Sequence, residues 1–171
     1  ARMRIDSSGN ILFNTTAVPS ASSGGAAFDP NTNGRAILKL ATTNTGNQGL
    51  AEFFNPNGQV GGIVTNGSAT AYNTSSDYRL KENVVTDWDA TSRLKQLKPA
   101  RFNFIADADT TVDGFLAHEA QAVVPECVTG THNEVDDDGN AVMQGIDQSK
   151  LVPLLVKTIQ ELEARITALE G

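Results

Sequence analysis

"LVPLLVKTIQELEARITALE", Leu151–Glu170, is the most regular stretch of the 171-residue chain. Within it Val152, Leu155, Ile159, Leu162, Ile166 and Leu169 recur at spacings of 3, 4, 3, 4 and 3. That is the a/d seam of a helix that lays one apolar stripe against a partner. Asp147 or Ser149 can cap its start, and Pro153 falls in the first turn, where a missing N–H costs little. The pattern predicts a coiled-coil-like helix over about 149–170. A seam of under three heptads is marginal on its own and needs something to pack on. Leu154 and Val156 widen the apolar face at its start, which predicts docking on the helix's own domain there and helix association further along. Ile at a with Leu at d ordinarily favours two strands, but so short a seam takes its oligomeric state from what it is attached to.

Upstream of the helix, residues 76–171 read as α+β. "DWDATSRLKQL" (Asp87–Leu97) is a short helix with Asp87 or Asp89 as N-cap and Pro99 beyond its end. "ARFNFI" (Ala100–Ile105) alternates as a strand does. "DGFLAHEAQAVVPE" (Asp113–Glu126) reads as a strand running into a short helix that stops near Pro125. "NEVDDDGNAVMQGI" (Asn133–Ile146) reads as a hairpin with Asp138-Gly139 in its turn.

Residues 1–75 have another texture. Almost half are Ser, Gly, Asn or Thr, and fewer than a quarter are large apolar residues. Short apolar runs (Met3–Ile5, Ile11–Phe13, Ile37–Leu40, Phe53–Phe54, Ile63–Val64) alternate with turn chemistry at Ser8-Gly9-Asn10, Asn33-Gly34, Asn55-Pro56-Asn57-Gly58 and Asn66-Gly67. This predicts short strands and hairpins with no long helix. So thin a core would struggle to offset the chain entropy of a lone domain. The choice is between disorder and a core shared between chains, and the recurring apolar pairs favour identical chains wrapped round one axis. Charge divides at the same place. Basic and acidic side chains number four and three before Ser76, nine and seventeen from Ser76 onward, and the net charge is −7. The chain therefore reads as two modules, 1–75 and 76–171.

The same numbers exclude some functions. An acidic chain is a poor phosphate binder, so no nucleic-acid partner is expected. No run suits a membrane span or a signal peptide. Cys127, the only cysteine, cannot form a disulfide within the chain and reads as a small buried apolar residue. The opening Ala1-Arg2-Met3 leads us to expect a longer parent protein. Three acidic residues in the first module, Asp6, Asp29 and Glu52, are a poor supply of the paired carboxylates that sugar hydrolysis needs.

"NTSSDYRLKENV" (Asn73–Val84) sits at the junction. Ser76 and Lys81 are five residues apart, within reach of a nucleophile–base dyad if Lys81 is desolvated or placed near positive charge such as Arg79. Serine followed by lysine at this distance is common by chance, so spacing alone favours an ordinary linker. Asp136-Asp137-Asp138-Gly139-Asn140 suggests a calcium loop, but Gly145 falls where the bidentate Glu should be, so a solvated turn and no metal is expected. His118 lacks a metal-ligand partner at a usual spacing, His132 being distant in sequence, and reads as structural.

"SSDYRLKENV" (Ser75–Val84), "GFLAHEAQAVVPECV" (Gly114–Val128) and "IDQSKLVPLLVKTIQELEARITALE" (Ile146–Glu170) resemble, in order, the three signature blocks of the C-terminal intramolecular chaperone domain of bacteriophage tail fibres, tailspikes and endosialidases. "RMRIDSSGN" (Arg2–Asn10) and the turn-rich segment after it look like the fibre shaft found upstream of such domains. Gln148 departs from the pattern, which often has an aromatic there.

The resemblance implies a homotrimer whose chaperone domain aligns three chains into an intertwined β-fibre and then cuts itself off. Ser76 would be the nucleophile, Lys81 its proton acceptor, Ser75–Ser76 the scissile bond, and the chain a single-turnover serine peptidase with no cofactor. It implies a virion tail fibre, folded in the host cytoplasm, whose mature form binds a host cell-surface receptor. The rival expectation is an uncleaved trimeric fibre tip that binds the host surface with its last domain attached.

Overall fold

The computed structural model describes residues 2–30 and 36–171 and is a mixed α and β chain with small antiparallel sheets and a long C-terminal helix. It divides into two compact units, Ala1–Asn83 and Val84–Gly171.

Among its described residues the first unit holds two sheets. Strands β1 (Met3–Ile5), β2 (Ile11–Phe13), β3 (Gly25–Asp29) and β4 (Ile37–Ala41) form a meander in chain order. The β1–β2 turn is built by Asp6, whose Oδ1 accepts the Ser8 and Asn10 amides at 2.9 and 3.0 Å and whose Oδ2 accepts from the Asn10 side chain at 2.8 Å. This fixes the register Met3↔Phe13, Arg4↔Leu12, Ile5↔Ile11. The expected Asn33-Gly34 turn lies outside the described residues.

The second sheet joins β5 (Gln48–Asn55), β6 (Gly58–Asn66) and β7 (Ala69–Thr74). Gly58, at φ 100°, closes the β5–β6 turn in a conformation that strains any other residue. At Gly62 in the central strand an added Cβ would lie 2.7 Å from the Ala51 carbonyl oxygen, so only glycine lets β5 approach.

The core of this unit is as thin as its composition suggests. Leu12 and Ala27, register partners across β2 and β3, are fully buried. Met3, Ile5, Phe28, Leu38, Phe53, Phe54 and Tyr72 all remain exposed. The strands are complete, and most of their apolar side chains face solvent within one chain.

In the second unit, α1 (Ala90–Leu94) starts at Asp89, whose carboxylate accepts the Ser92 amide at 2.9 Å. Strands β8 (Ala100–Phe104) and β9 (Asp107–Gly114) pair as a hairpin, followed by α2 (Ala117–Gln121) and a 3-10 turn, Pro125–Cys127. Strand β10 (Val128–Thr129) pairs with β11 (Gly145–Ile146). Between them the Asp136–Asn140 turn is closed by a bridge between Val135 and Ala141, with Gly139 at φ 81°. A second 3-10 turn, Gln148–Leu151, capped by Asp147, leads into α3 (Val152–Glu170).

Helix α3 therefore begins three residues later than its periodicity suggests, and its two faces have different fates. Leu151, Leu154 and Thr158 are buried, the first two in a core with Ala90, Ala120, Val124 and Cys127. Val156, expected to dock with Leu154, is exposed instead. One hundred degrees per residue carries it off the Leu151–Leu154–Thr158 row. The seam residues Val152, Leu155, Ile159, Leu162, Ile166 and Leu169 are all exposed, from 44% at Leu162 to 87% at Leu169.

Glu161 continues the docked row. Its Oε1 accepts the Ala90 amide at 2.9 Å and its Oε2 the Thr91 amide at 2.8 Å, so α3 caps the N-terminus of α1. The Thr91 hydroxyl and then the Ala90 amide hold the Glu161 carboxyl below its ordinary value. A depressed carboxyl stabilises the fold above its unfolded value, near 4.5, and that contribution disappears as pH falls through the folded one. We expect an acid titration of Trp88 fluorescence to show α1 loosening below about pH 4.5. Glu161→Gln should be less stable at neutral pH and less sensitive to acid, and an unchanged acid slope would contradict the linkage.

Candidate active site

The site grows from the end of β7. Ser75 extends the sheet beyond Thr74, its amide donating to the Val60 carbonyl at 3.1 Å and its hydroxyl to the Gln59 carbonyl at 2.8 Å. The backbone then leaves the sheet. Asp77, in extended conformation, caps a single 3-10 turn, Tyr78–Leu80, by accepting the Arg79 amide on Oδ1 at 2.9 Å. The turn closes through Leu80 N–H to Asp77 C=O at 3.1 Å and Lys81 N–H to Tyr78 C=O at 3.0 Å. This folds the lysine back over the residue five before it, and Lys81 Nζ donates to Ser76 Oγ at 2.8 Å.

Ser76 and Lys81, open to a linker reading by spacing, are thus in direct contact. Both are exposed. Arg79, a candidate source of positive charge for Lys81, instead makes a two-pronged ion pair with Asp77, Nε to Oδ1 at 2.9 Å and Nη2 to Oδ2 at 2.8 Å. That pairing, with the Arg79 amide, holds the Asp77 carboxyl below the usual carboxylate range. A serine hydroxyl touching an amine can attack a carbonyl if the amine is neutral when the proton must leave. A hydroxyl and an amine in contact are the groups that acyl transfer uses.

The other candidates have ordinary roles. Asp136 turns its Oδ1 inward to the Asp138 and Asn140 amides at 3.0 and 2.8 Å, and among the described residues no three His, Cys, Asp or Glu side chains gather as metal ligands. Cys127 is buried, and that burial pushes its thiol up, away from reactivity. Asp6 is engaged in its own turn and Asp29 pairs with Lys39. His118 and His132 stack with ring centroids 4.2 Å apart and planes within 6°. No short-range pattern could have joined them, since His118 lies in α2 and His132 fourteen residues on, beyond β10.

Residues 76–129 match the family model of the chaperone of endosialidase, Peptidase_S74. Residues 76–129 are therefore similar to a chaperone of endosialidase domain. The match opens on Ser76, includes Lys81, α1, the β8–β9 hairpin and α2, and ends with β10 at Thr129. It covers just under a third of the chain, less than the resemblance read from the sequence, which ran to Glu170. Chaperone of endosialidase domains are autoproteolytic serine peptidases and intramolecular chaperones typical of phage tail-fibre C-termini. No curated protein matches the chain. Among the described residues no helix is long and apolar enough to cross a membrane.

Proposed function

We propose that this chain is the C-terminal region of a phage tail fibre, in which residues 76–171 hold three copies in register while residues 1–75 interlock, and then detach by cutting Ser75–Ser76. The observation that carries the reading is the 2.8 Å contact between Lys81 Nζ and Ser76 Oγ on the first residue of the family match. The exposed apolar residues of β1–β7 and the open α3 seam support the assembly half of it, since both need neighbours that one chain cannot supply.

Interlocked strands have many near-equivalent registers, so their folding is slow and prone to slippage. A trimeric clamp at one end aligns the chains and raises their effective concentration. Removing the clamp afterwards makes the fibre's persistence kinetic.

In the cutting step Ser76 Oγ bonds to the Ser75 carbonyl carbon and its proton passes to neutral Lys81. The tetrahedral adduct collapses as the C–N bond breaks, and Lys81 returns the proton to the departing Ser76 nitrogen. Water then hydrolyses the ester, leaving a Ser75 carboxylate and a Ser76 amine with its hydroxyl restored. Direct attack of water, with Ser76 and Lys81 as a relay, ends in the same products. Both need an unprotonated amine, which burial against neighbouring chains would favour, and so cleavage follows assembly. The released fibre would bind a host cell-surface receptor, with no cofactor involved.

Intact mass spectrometry of freshly purified protein tests this. Two products with termini at Ser75 and Ser76 are expected. A persistent mass near 18.1 kDa would mean the domain stays attached as a structural tip.

A further inference from the structure

We infer that Asp77 is a positioning residue for self-cleavage: by capping the Tyr78–Leu80 turn it sets Lys81 Nζ on Ser76 Oγ. The inference rests on the proposed dyad. Five residues of extended chain would place Lys81 well over 10 Å from Ser76. The contact exists because one 3-10 turn intervenes, and that turn is short enough to depend on its cap. Asp77 supplies the cap through Oδ1, which accepts the Arg79 amide, and its backbone carbonyl closes the turn on the Leu80 amide.

The remaining oxygen and the two-pronged Arg79 pair fix the carboxylate's rotamer. No apolar contact anchors the segment, because Tyr78 and Leu80 are largely exposed. Its geometry therefore lies in hydrogen bonds, and Asp77 makes or receives most of them. Ser76 and Lys81 are the reacting groups, while Asp77 acts through the turn between them.

Cap and charge can be separated by substitution. Asparagine and serine cap a turn about as well as aspartate, whereas alanine does not. Arg79→Ala removes the ion pair but keeps the backbone amide that the cap binds.

The test tracks cleavage of the full chain over time by denaturing electrophoresis, with sedimentation to confirm that assembly is unchanged. D77A should cut about ten- to a hundredfold more slowly than the parent. D77N, D77S and R79A should stay within about threefold of it. D77N or D77S as slow as D77A would overturn the capping role, and so would D77A at the parental rate. Ser76→Ala and Lys81→Ala run alongside. If they are uncut while D77A cuts normally, only the role of Asp77 fails, whereas cutting by either of them removes the dyad itself. If D77A fails to assemble, D77N and R79A keep the cap falsifiable, because slow cutting by either overturns it.

Discussion

Ser76→Ala and Lys81→Ala should each leave the chain whole, a single 18.1 kDa band where the parent is expected to split into 1–75 and 76–171. The expected loss is at least about a thousandfold for either substitution, since members of a unit that acts together fail together. Ser76→Ala removes the hydroxyl that the proposed cut needs, as nucleophile or as relay. Lys81→Ala leaves the hydroxyl without a proton acceptor. Lys81→Arg separates two roles that alanine confounds, because a guanidinium can still donate a hydrogen bond to Ser76 Oγ but stays charged and cannot accept a proton. It should be as inactive as Lys81→Ala. Neither side chain is buried within one chain, so none of these changes should disturb its folding. Splitting of Ser76→Ala at the parental rate would end the dyad reading.

What could be read from the sequence was what the chain encodes locally. Asp89 as the cap of α1, the Ser8-Gly9-Asn10 turn and the apolar stripe of α3 are each written within a few residues. The strands at Ile11–Phe13 and Ile63–Val64 announce themselves by large apolar side chains. Strand β3, Gly-Ala-Ala-Phe-Asp, does not, because its one buried residue is the small Ala27, the register partner of Leu12. Strand β7 is exposed throughout and owes its pairing to β6. The capping of α1 by Glu161 joins groups 70 and 71 residues apart, and no periodicity marks it. At the site, spacing alone favoured a linker, and Asp77 two residues before Arg79 was the unused clue: an Asx cap predicts a turn, and a turn brings Lys81 back to Ser76. The composition changes at Ser75–Ser76, whereas the packing divides after Asn83, whose φ of 54° turns the chain. Composition reflects the character of each module and packing reflects contacts, so the two need not coincide.

Two aspartates in the α3 seam, Ile159→Asp with Leu162→Asp, should turn the proposed trimer into a monomer and stop the proposed cleavage without unfolding the second unit. Within one chain these side chains are 63% and 44% exposed, so the domain's own core hardly uses them. Against neighbouring helices, burying the remaining apolar surface of the six seam residues contributes on the order of 1 kcal/mol each. A carboxylate there loses that contribution and adds the cost of an unpaired buried charge, which together exceed what so short a seam supplies. Leu154→Ala is the contrasting change. It removes a core side chain at a cost of about 2–5 kcal/mol and should unfold the unit before it affects association. Sedimentation, with circular dichroism on the same samples, distinguishes the two. If desolvation by neighbouring chains is what frees Lys81 to accept a proton, the seam variant must stay uncut although Ser76 and Lys81 are untouched. A monomeric seam variant that cuts at the parental rate would break the coupling while leaving the dyad in place. A parent that sediments as a folded monomer would remove the need for a clamp, because residues 1–75 would then have found their register alone.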